Sequence, residues 1–316
     1  MTAGFPCPPQ PNEEKVSVSA VVVTRNRSAA LRSLLASLSA QTRPPDETVV
    51  VDNASTDDTL AMLAREFPGV RVAIQKRNLG CPGGRNVGIE ASRGDIIISL
   101  DDDASCPPDT VARFVAAVRA HPRAAVIAAR IVDPLTGVST VSADTPVHQA
   151  FTFSGGAAAL RRAALDDVGL YPAHFHRQAE ELDLAWRLWD HGWEVIRDTN
   201  IVVYHDVGRF APRAARFQTR NEILVAFRNL PLFHAIMSAL RKSLTYPPRY
   251  IRRRAGLWSL VGAAEGWLKC VGELGRRRPV RRETIMVCHR LHRSSSAPRC
   301  RPLPPGRSTT AEPENE

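Results

Sequence analysis

A chain of 316 residues, 44% hydrophobic and 23% charged, can bury a core of its own, which excludes a disordered or fibrous protein. Its six cysteines (Cys7, Cys81, Cys106, Cys270, Cys288, Cys300) form no CxxC pair, which argues against a disulfide framework or a structural zinc site. The formal charge of +10 is uneven: residues 1–206 hold 20 Lys+Arg and 25 Asp+Glu, residues 207–307 hold 22 Lys+Arg and 4 Glu, so an anionic contact belongs in the last third.

The opening stretch MTAGFPCPPQPNEEK lacks a basic n-region and an apolar h-region, so a cytoplasmic location is expected. VSVSAVVV at 16–23 is apolar and β-branched, the pattern of a strand buried on both faces. After TRNRS, leucines 31, 34, 35 and 38 predict a helix with Ser28 as cap. Further strands are predicted at 47–51, 70–74 and 95–100, with helices at 56–67 and 86–92. Pro107 and Pro108 open a helix, followed by strands at 125–131 and 151–160 and a short helix at 161–168. A helix over 180–191 precedes the strand GWEVIRDTNIVVYH; helices rich in Arg, Leu and Trp follow, then a tail-like segment. Alternating strands and helices predict an α/β fold with a largely parallel sheet, whose ligands bind at the carboxyl ends of the strands. Those ends carry Thr24–Arg27, Asp52–Ser55 and Asp101–Asp103.

Three adjacent carboxylates at a strand end repel one another unless a cation or strong donors compensate them, and their hard oxygens suit Mg²⁺ or Mn²⁺. A solvated charged turn is the simpler reading of such a triplet on its own. In company the motifs are more specific. VSAVVVTRNR, VVVDNASTDDT, NLGCPGGRNVGI, ISLDDDASCPP, SGGAAALRR and AEELDLAWRLWDHGW occur in an order and spacing that resembles glycosyltransferase family 2, inverting enzymes of the GT-A fold. The resemblance covers about residues 16–206, and the DNAS form looks closest to rhamnosyltransferase-like and galactofuranosyltransferase-like members.

The resemblance implies a GT-A catalytic domain over 15–206, with a Rossmann-like mixed sheet, a tail at 1–14, a basic helical extension at 207–293 and a disordered tail at 294–316. It implies a nucleoside diphosphate sugar donor and a hydroxyl acceptor, in polysaccharide, glycolipid or other glycoconjugate assembly. Thr24, Arg25, Asp52, Arg85, Asn86 and Asp101 would line the nucleotide-sugar site. Asp103 and His205, with Asp101, would hold Mn²⁺ or Mg²⁺. Glu181 stands where the family places its catalytic base, with Glu180 and Asp183 as flanking candidates; acids at a helix N-terminus favoured by the dipole are the plainer explanation for the neighbours. His121, His148, His174 and His176 are assigned no role, and Trp186, Trp189 and Trp193 are read as packing.

Between two arginine triplets, residues 255–275 are weakly apolar but interrupted by Glu265, Lys269 and Glu273, which argues against a bilayer span. An interfacial helix on an anionic inner leaflet, with Trp258, Leu260 and Trp267 in contact, suits a peripheral enzyme with a lipid-linked acceptor; a helical subdomain with a solvated arginine face fits equally. Two other classes stay open. The basic third would attract nucleic-acid backbones, although no reading module is visible and no specific nucleic acid is expected. A nucleotidyltransferase on a related fold would normally carry a glycine-rich loop after the first strand, where this chain has TRNRS.

Overall fold

The computed structural model describes residues 16–139, 141–206, 211–251 and 254–294. In chain order the elements are β1 (Val18–Thr24), α1 (Ser28–Ser39), β2 (Glu47–Asp52), α2 (Thr59–Glu66), β3 (Arg71–Ile74), α3 (Gly80–Ala91), β4 (Ile96–Asp101), β5 (Ala104–Ser105), α4 (Thr110–Ala120) and β6 (Ala124–Val132). There follow β7 (Val147–Gln149), β8 (Ala157–Arg161), α5 (Arg162–Val168), α6 (Glu180–Asp190) and β9 (Glu194–His205). Four helices complete the described chain: α7 (Ala214–Asn229), α8 (Leu232–Ile251), α9 (Gly256–Glu273) and α10 (Arg282–Ser294).

One mixed sheet runs in the order β3-β2-β1-β4-β8-β6-β9-β5, with β7 on β9. β1 to β4 are parallel, and β8 enters antiparallel between β4 and β6. Period-2 alternation sends successive side chains to opposite faces. Val18, Ala20, Val22, Ile96 and Ile98 meet the leucines of α1 and Phe114 of α4, while Val21, Val49 and Ile97 meet Ile89 and the apolar side of α6. Both faces are covered, which is why these strands read as unbroken apolar runs. Each such side chain contributes about 1.5–3 kcal/mol on burial.

Several boundaries differ from the sequence expectation. Ser28 is the first residue of α1 rather than its cap, a place Arg27 takes without a side-chain bond. The second helix starts at Thr59, not 56, because Asn26 Oδ1 takes the Thr56 N–H and Asp57 takes that of Thr59. α3 starts at Gly80, well before residue 86. Its glycines serve contact with β1: a Cβ at Gly84 would lie 2.6 Å from Val23, and one at Gly88 2.3 Å from Val21. The expected strand over 151–160 begins only at Ala157, since Arg197 takes the Thr152 carbonyl and Ser99 and Glu181 take the backbone groups of Gly155.

The described part of the basic extension is not a separate body. Ile223, Leu224 and Phe227 of α7 and Cys288 of α10 share one core cluster with Leu184 and Trp186 of α6. Trp189 and Trp193 belong to it too, as expected of packing residues. The tail expected at 1–14 lies outside the described residues with Cys7, and so does the tail expected at 294–316 with Cys300, apart from Ser294, which ends α10; Cys81, Cys106, Cys270 and Cys288 are free thiols. No helix among the described residues is long and apolar enough to cross a membrane.

Candidate active site

Strand register sets the site. Thr24 pairs with Asp52 across β1 and β2, and Val23 with Asp101 across β1 and β4, so three strand ends finish at one level. Asp52 is buried; its Oδ2 accepts from Ser55 N at 3.2 Å, and its Oδ1 has no hydrogen-bond partner among the described residues. A buried acceptor without a donor is costly, and this one lies at the edge where a ligand can supply the donor. Exposed Arg25 stands beside it, its Nε 3.5 Å from the Ala54 carbonyl. Thr24 is committed elsewhere, donating its hydroxyl to Asp102 at 2.8 Å.

The acidic triplet divides by neighbour. Asp102 is buried and held by Thr24 and by Arg27 at 3.2 Å. Asp103 meets Arg27 and lies 2.9 Å from His205 Nε2, which is 3.6 Å from Asp101. His205 arrives there because β5 pairs with the end of β9, Ala104 opposite His205. Burial alone would raise Asp103, but the hydrogen bond and charge of His205 and the charge of Arg27 outweigh it and hold the carboxyl at about 2. The bond to Asp103 in turn raises His205 against the effect of its burial. Carboxylate oxygens and an imidazole this close suit a hard divalent ion. Among the described residues they bond one another rather than surrounding a common point; a cation would take over the charge that Arg27 and His205 now neutralise. Arg27 was not singled out in the sequence, where its one signal is the basic turn after β1.

Arg85 joins this cluster to α6. Fully buried, it donates from Nη2 to Asp101 at 2.9 Å and from Nη1 to Glu181 at 3.2 Å and Glu180 at 3.4 Å. The neighbouring acids keep it charged despite burial. Its guanidinium is thus engaged with these acids, at the position where the resemblance implied a place in the nucleotide-sugar site. Asn86 is likewise committed: its amide donates to the Tyr171 carbonyl at 2.8 Å and accepts from the Tyr171 N–H at 3.1 Å, pinning a loop onto α3.

Glycines 155 and 156 make room for this arrangement. Gly155 N donates to Glu181 Oε1 at 3.1 Å, and Ser99 Oγ donates to the Gly155 carbonyl at 2.5 Å. Glu181 Oε1 thus takes both Gly155 and Arg85, while its Oε2 has no hydrogen bond among the described residues. Glu180 is different: burial first, then repulsion from Glu181, pushes its carboxyl well above the usual range against the pull of Arg85. Its Oε2 is buried with no hydrogen-bond partner among the described residues, a setting that favours the neutral acid. Asp183 is removed from the site altogether. Fully buried, it accepts from Arg187 (3.1 Å), Arg228 (2.8 Å) and Asn229 (2.8 Å), tying α6 to α7.

The entry to α6 is strained. His176, Gln178 and Ala179 have φ of 65°, 69° and 66°, a conformation that costs about 1–3 kcal/mol per non-glycine residue. Buried Asn221 of α7 compensates by donating to the carbonyls of Phe175 (3.1 Å), Arg177 (2.7 Å) and Gln178 (2.8 Å). Arg220 adds a bond to Phe175 O at 2.8 Å. The basic extension thereby aims Glu181, a link the sequence hides because Asn221 follows Gln178 by 43 positions. His174 pairs with Glu273 and His148 caps Thr145, in keeping with structural roles.

A cavity of about 380 Å³ lies elsewhere, under Leu182 and Trp186 among α7, α8 and α10. None of Asp52, Asp101, Asp103 or Glu181 lines it, so convergence of acids, not volume, marks the site. The family model for glycosyl transferase family 2 matches residues 19–169, and that for glycosyl transferase family group 2 matches 96–276, more than half of the chain. The chain belongs to glycosyltransferase family 2. Among its family relatives, the succinoglycan biosynthesis protein ExoO of Rhizobium meliloti (strain 1021) is 38% identical over 99 residues, 31% of this chain and 28% of that protein. The pre-mycofactocin glycosyltransferase of Mycobacterium tuberculosis (strain CDC 1551 / Oshkosh) is 27% identical over 226 residues, 65% of this chain and 46% of the relative. The chain spans about a third of the length of the first curated relatives it matches. Mannosyltransferase PcManGT from Pyrobaculum calidifontis, solved with GDP-Man and Mn²⁺, superposes at TM-score 0.56 and 21% identity, covering 86% of this chain and 79% of that one. That likeness establishes the GT-A fold for this member of glycosyltransferase family 2.

Proposed function

We propose that the protein is a divalent-metal-dependent, inverting glycosyltransferase that moves a sugar from a nucleoside diphosphate to an acceptor hydroxyl. One observation carries this reading: a single buried guanidinium, Arg85, ties Asp101 of the metal-type cluster to Glu181. Leaving-group and base functions are thereby held at a fixed separation, as in-line displacement requires. Asp52 Oδ1 offers the base of the nucleotide an acceptor, and Arg25 stands at the rim. A Mg²⁺ or Mn²⁺ held by Asp101, Asp103 and His205 would neutralise charge on the departing diphosphate. Glu181 Oε2 takes the proton of the acceptor hydroxyl as that oxygen bonds the anomeric carbon and the bond to the diphosphate breaks on the opposite face. Arg85 and Gly155 hold the other oxygen, so the carboxylate cannot turn away.

The GDP-Man and Mn²⁺ in the PcManGT complex and the naming of ExoO for succinoglycan biosynthesis support a sugar-nucleotide donor and a glycoconjugate product. The test is a thermal-shift screen of nucleotide sugars with Mn²⁺, followed by product analysis. A ligand at a hundred times its dissociation constant adds about 2.7 kcal/mol of stability. Release of nucleoside diphosphate supports the proposal. Pyrophosphate release, or stabilisation by no nucleotide sugar, defeats it.

A further inference from the structure

The helices α8 and α9 carry their polarity the wrong way round. On α8 the exposed apolar residues Phe233, Met237, Leu240, Leu244 and Ile251 recur at spacings of four, three, four and seven, which is one helical face. On α9 Leu257, Leu260, Val261, Leu268 and Val271 do the same. Single exposed apolar residues are ordinary, but continuous stripes mark an interaction surface. Leu244 and Leu268 are 75% and 79% exposed, so they contribute almost nothing to the fold of this chain.

The two stripes form one face. Trp267 Nε1 donates to Ser243 Oγ at 3.1 Å, marking the seam of an antiparallel pair. α7 closes one side of that pair, through Lys242 and Tyr246 bonded to Glu222 and through Ser259 with Thr219. Helical geometry places both stripes on the other side. Two of the three contacts expected from the sequence are drawn inward instead: Trp267 packs on Phe227, and Trp258 is half-buried under Arg213.

We infer that this face docks on an anionic lipid bilayer. Its flanks are cationic: Arg241 and Arg249 on α8, Lys269 on α9, Arg254 in the turn between them, and Arg276 and Arg278 beyond are all exposed. Apolar side chains inserted at the headgroup boundary, with arginines reaching the lipid phosphates, are the two terms that hold an interfacial helix. A second copy of the chain is the poorer occupant, since pairing would oppose two segments that each carry +18 over residues 207–307.

The test uses the full chain and vesicles of pure phosphatidylcholine or of phosphatidylcholine with phosphatidylglycerol, read by co-sedimentation. Wild type is expected to bind the anionic vesicles in preference to the neutral ones. The variant Leu244→Glu/Leu268→Glu is expected to bind them at least about tenfold more weakly while keeping its melting midpoint and its affinity for nucleotide sugar. Loss of anionic binding at unchanged midpoint supports the inference, independently of whether transfer activity is found. Undiminished binding by the double variant would show attraction by charge alone and overturn it. Absence of wild-type binding to either vesicle also overturns it. So does a wild-type dimer in light scattering that the double substitution converts to monomer, because the occupant is then a second copy.

Discussion

The substitution Gly156→Ala interrogates the site at its tightest point. An added Cβ would lie 2.0 Å from Asp101 Oδ2 and 2.1 Å from its Cγ, where ordinary contact begins at 3.4 Å. The carboxylate must therefore retreat by about 1.4 Å or β8 must slide. Either movement breaks the 2.9 Å bond from Arg85 to Asp101 Oδ1 that also fixes Glu181. Overpacking of this kind costs about 1–3 kcal/mol of stability, whereas a misplacement of about 1 Å at a reacting centre costs about 100-fold in rate. Turnover is thus expected to fall about 100-fold with a modest drop in melting temperature. The assay is nucleoside diphosphate release at saturating donor and acceptor, with Mn²⁺ half-saturation measured in parallel. Gly272→Ala is the control, because a Cβ there meets nothing within 4 Å. Turnover of Gly156→Ala within twofold of wild type would refute the assignment of Asp101 and its partners to the reacting centre.

Glu181→Gln should keep donor affinity and lose turnover by about 100-fold or more, the ordinary worth of a general base; Glu180→Gln, at a carboxyl that burial biases toward its neutral form, should lose far less, and the reverse ranking would move the base. Asp103→Ala should abolish the Mn²⁺-dependent part of donor binding, read by calorimetry; unchanged Mn²⁺-dependent affinity removes Asp103 from the metal set. Glu273 is held at about 2, below its ordinary 4.5, since the bonds from His174 and Arg228 outweigh the opposing effect of burial. Its contribution to stability is full above about 4.5 and disappears as pH falls toward about 2, so Glu273→Gln should flatten the melting-temperature profile in that window; parallel profiles for variant and wild type would contradict the pairing.

Much of the body was legible because its strands are buried on both faces and so read as unbroken Val and Ile runs. The acid triplet was legible for a similar local reason, a strand end followed at once by charge. Where interactions are distant in sequence, legibility failed. The glycines at 80, 83 and 84 lie before the helix expected at 86–92, yet they are part of it, because only small residues let α3 lie on Val21 and Val23. Asn86 and Asp183 carry the residue types of a site but spend them on Tyr171 and on α7. Asn221 and Arg27 act on the site through partners that no spacing rule links to them. The inward turn of Trp267 onto Phe227 was not legible because hydrophobic content does not reveal which face of α9 meets α7.

In the proposed mechanism Glu181 takes the proton of the acceptor hydroxyl, which attacks one side of the anomeric carbon while the diphosphate leaves from the other. Proton NMR of the glycosidic product tests it most directly. The account predicts an anomeric configuration opposite to that of the donor, with one nucleoside diphosphate released per transfer and both signals lost together in Glu181→Gln. Retained configuration, or transfer that persists in Glu181→Gln at the wild-type rate, would contradict it.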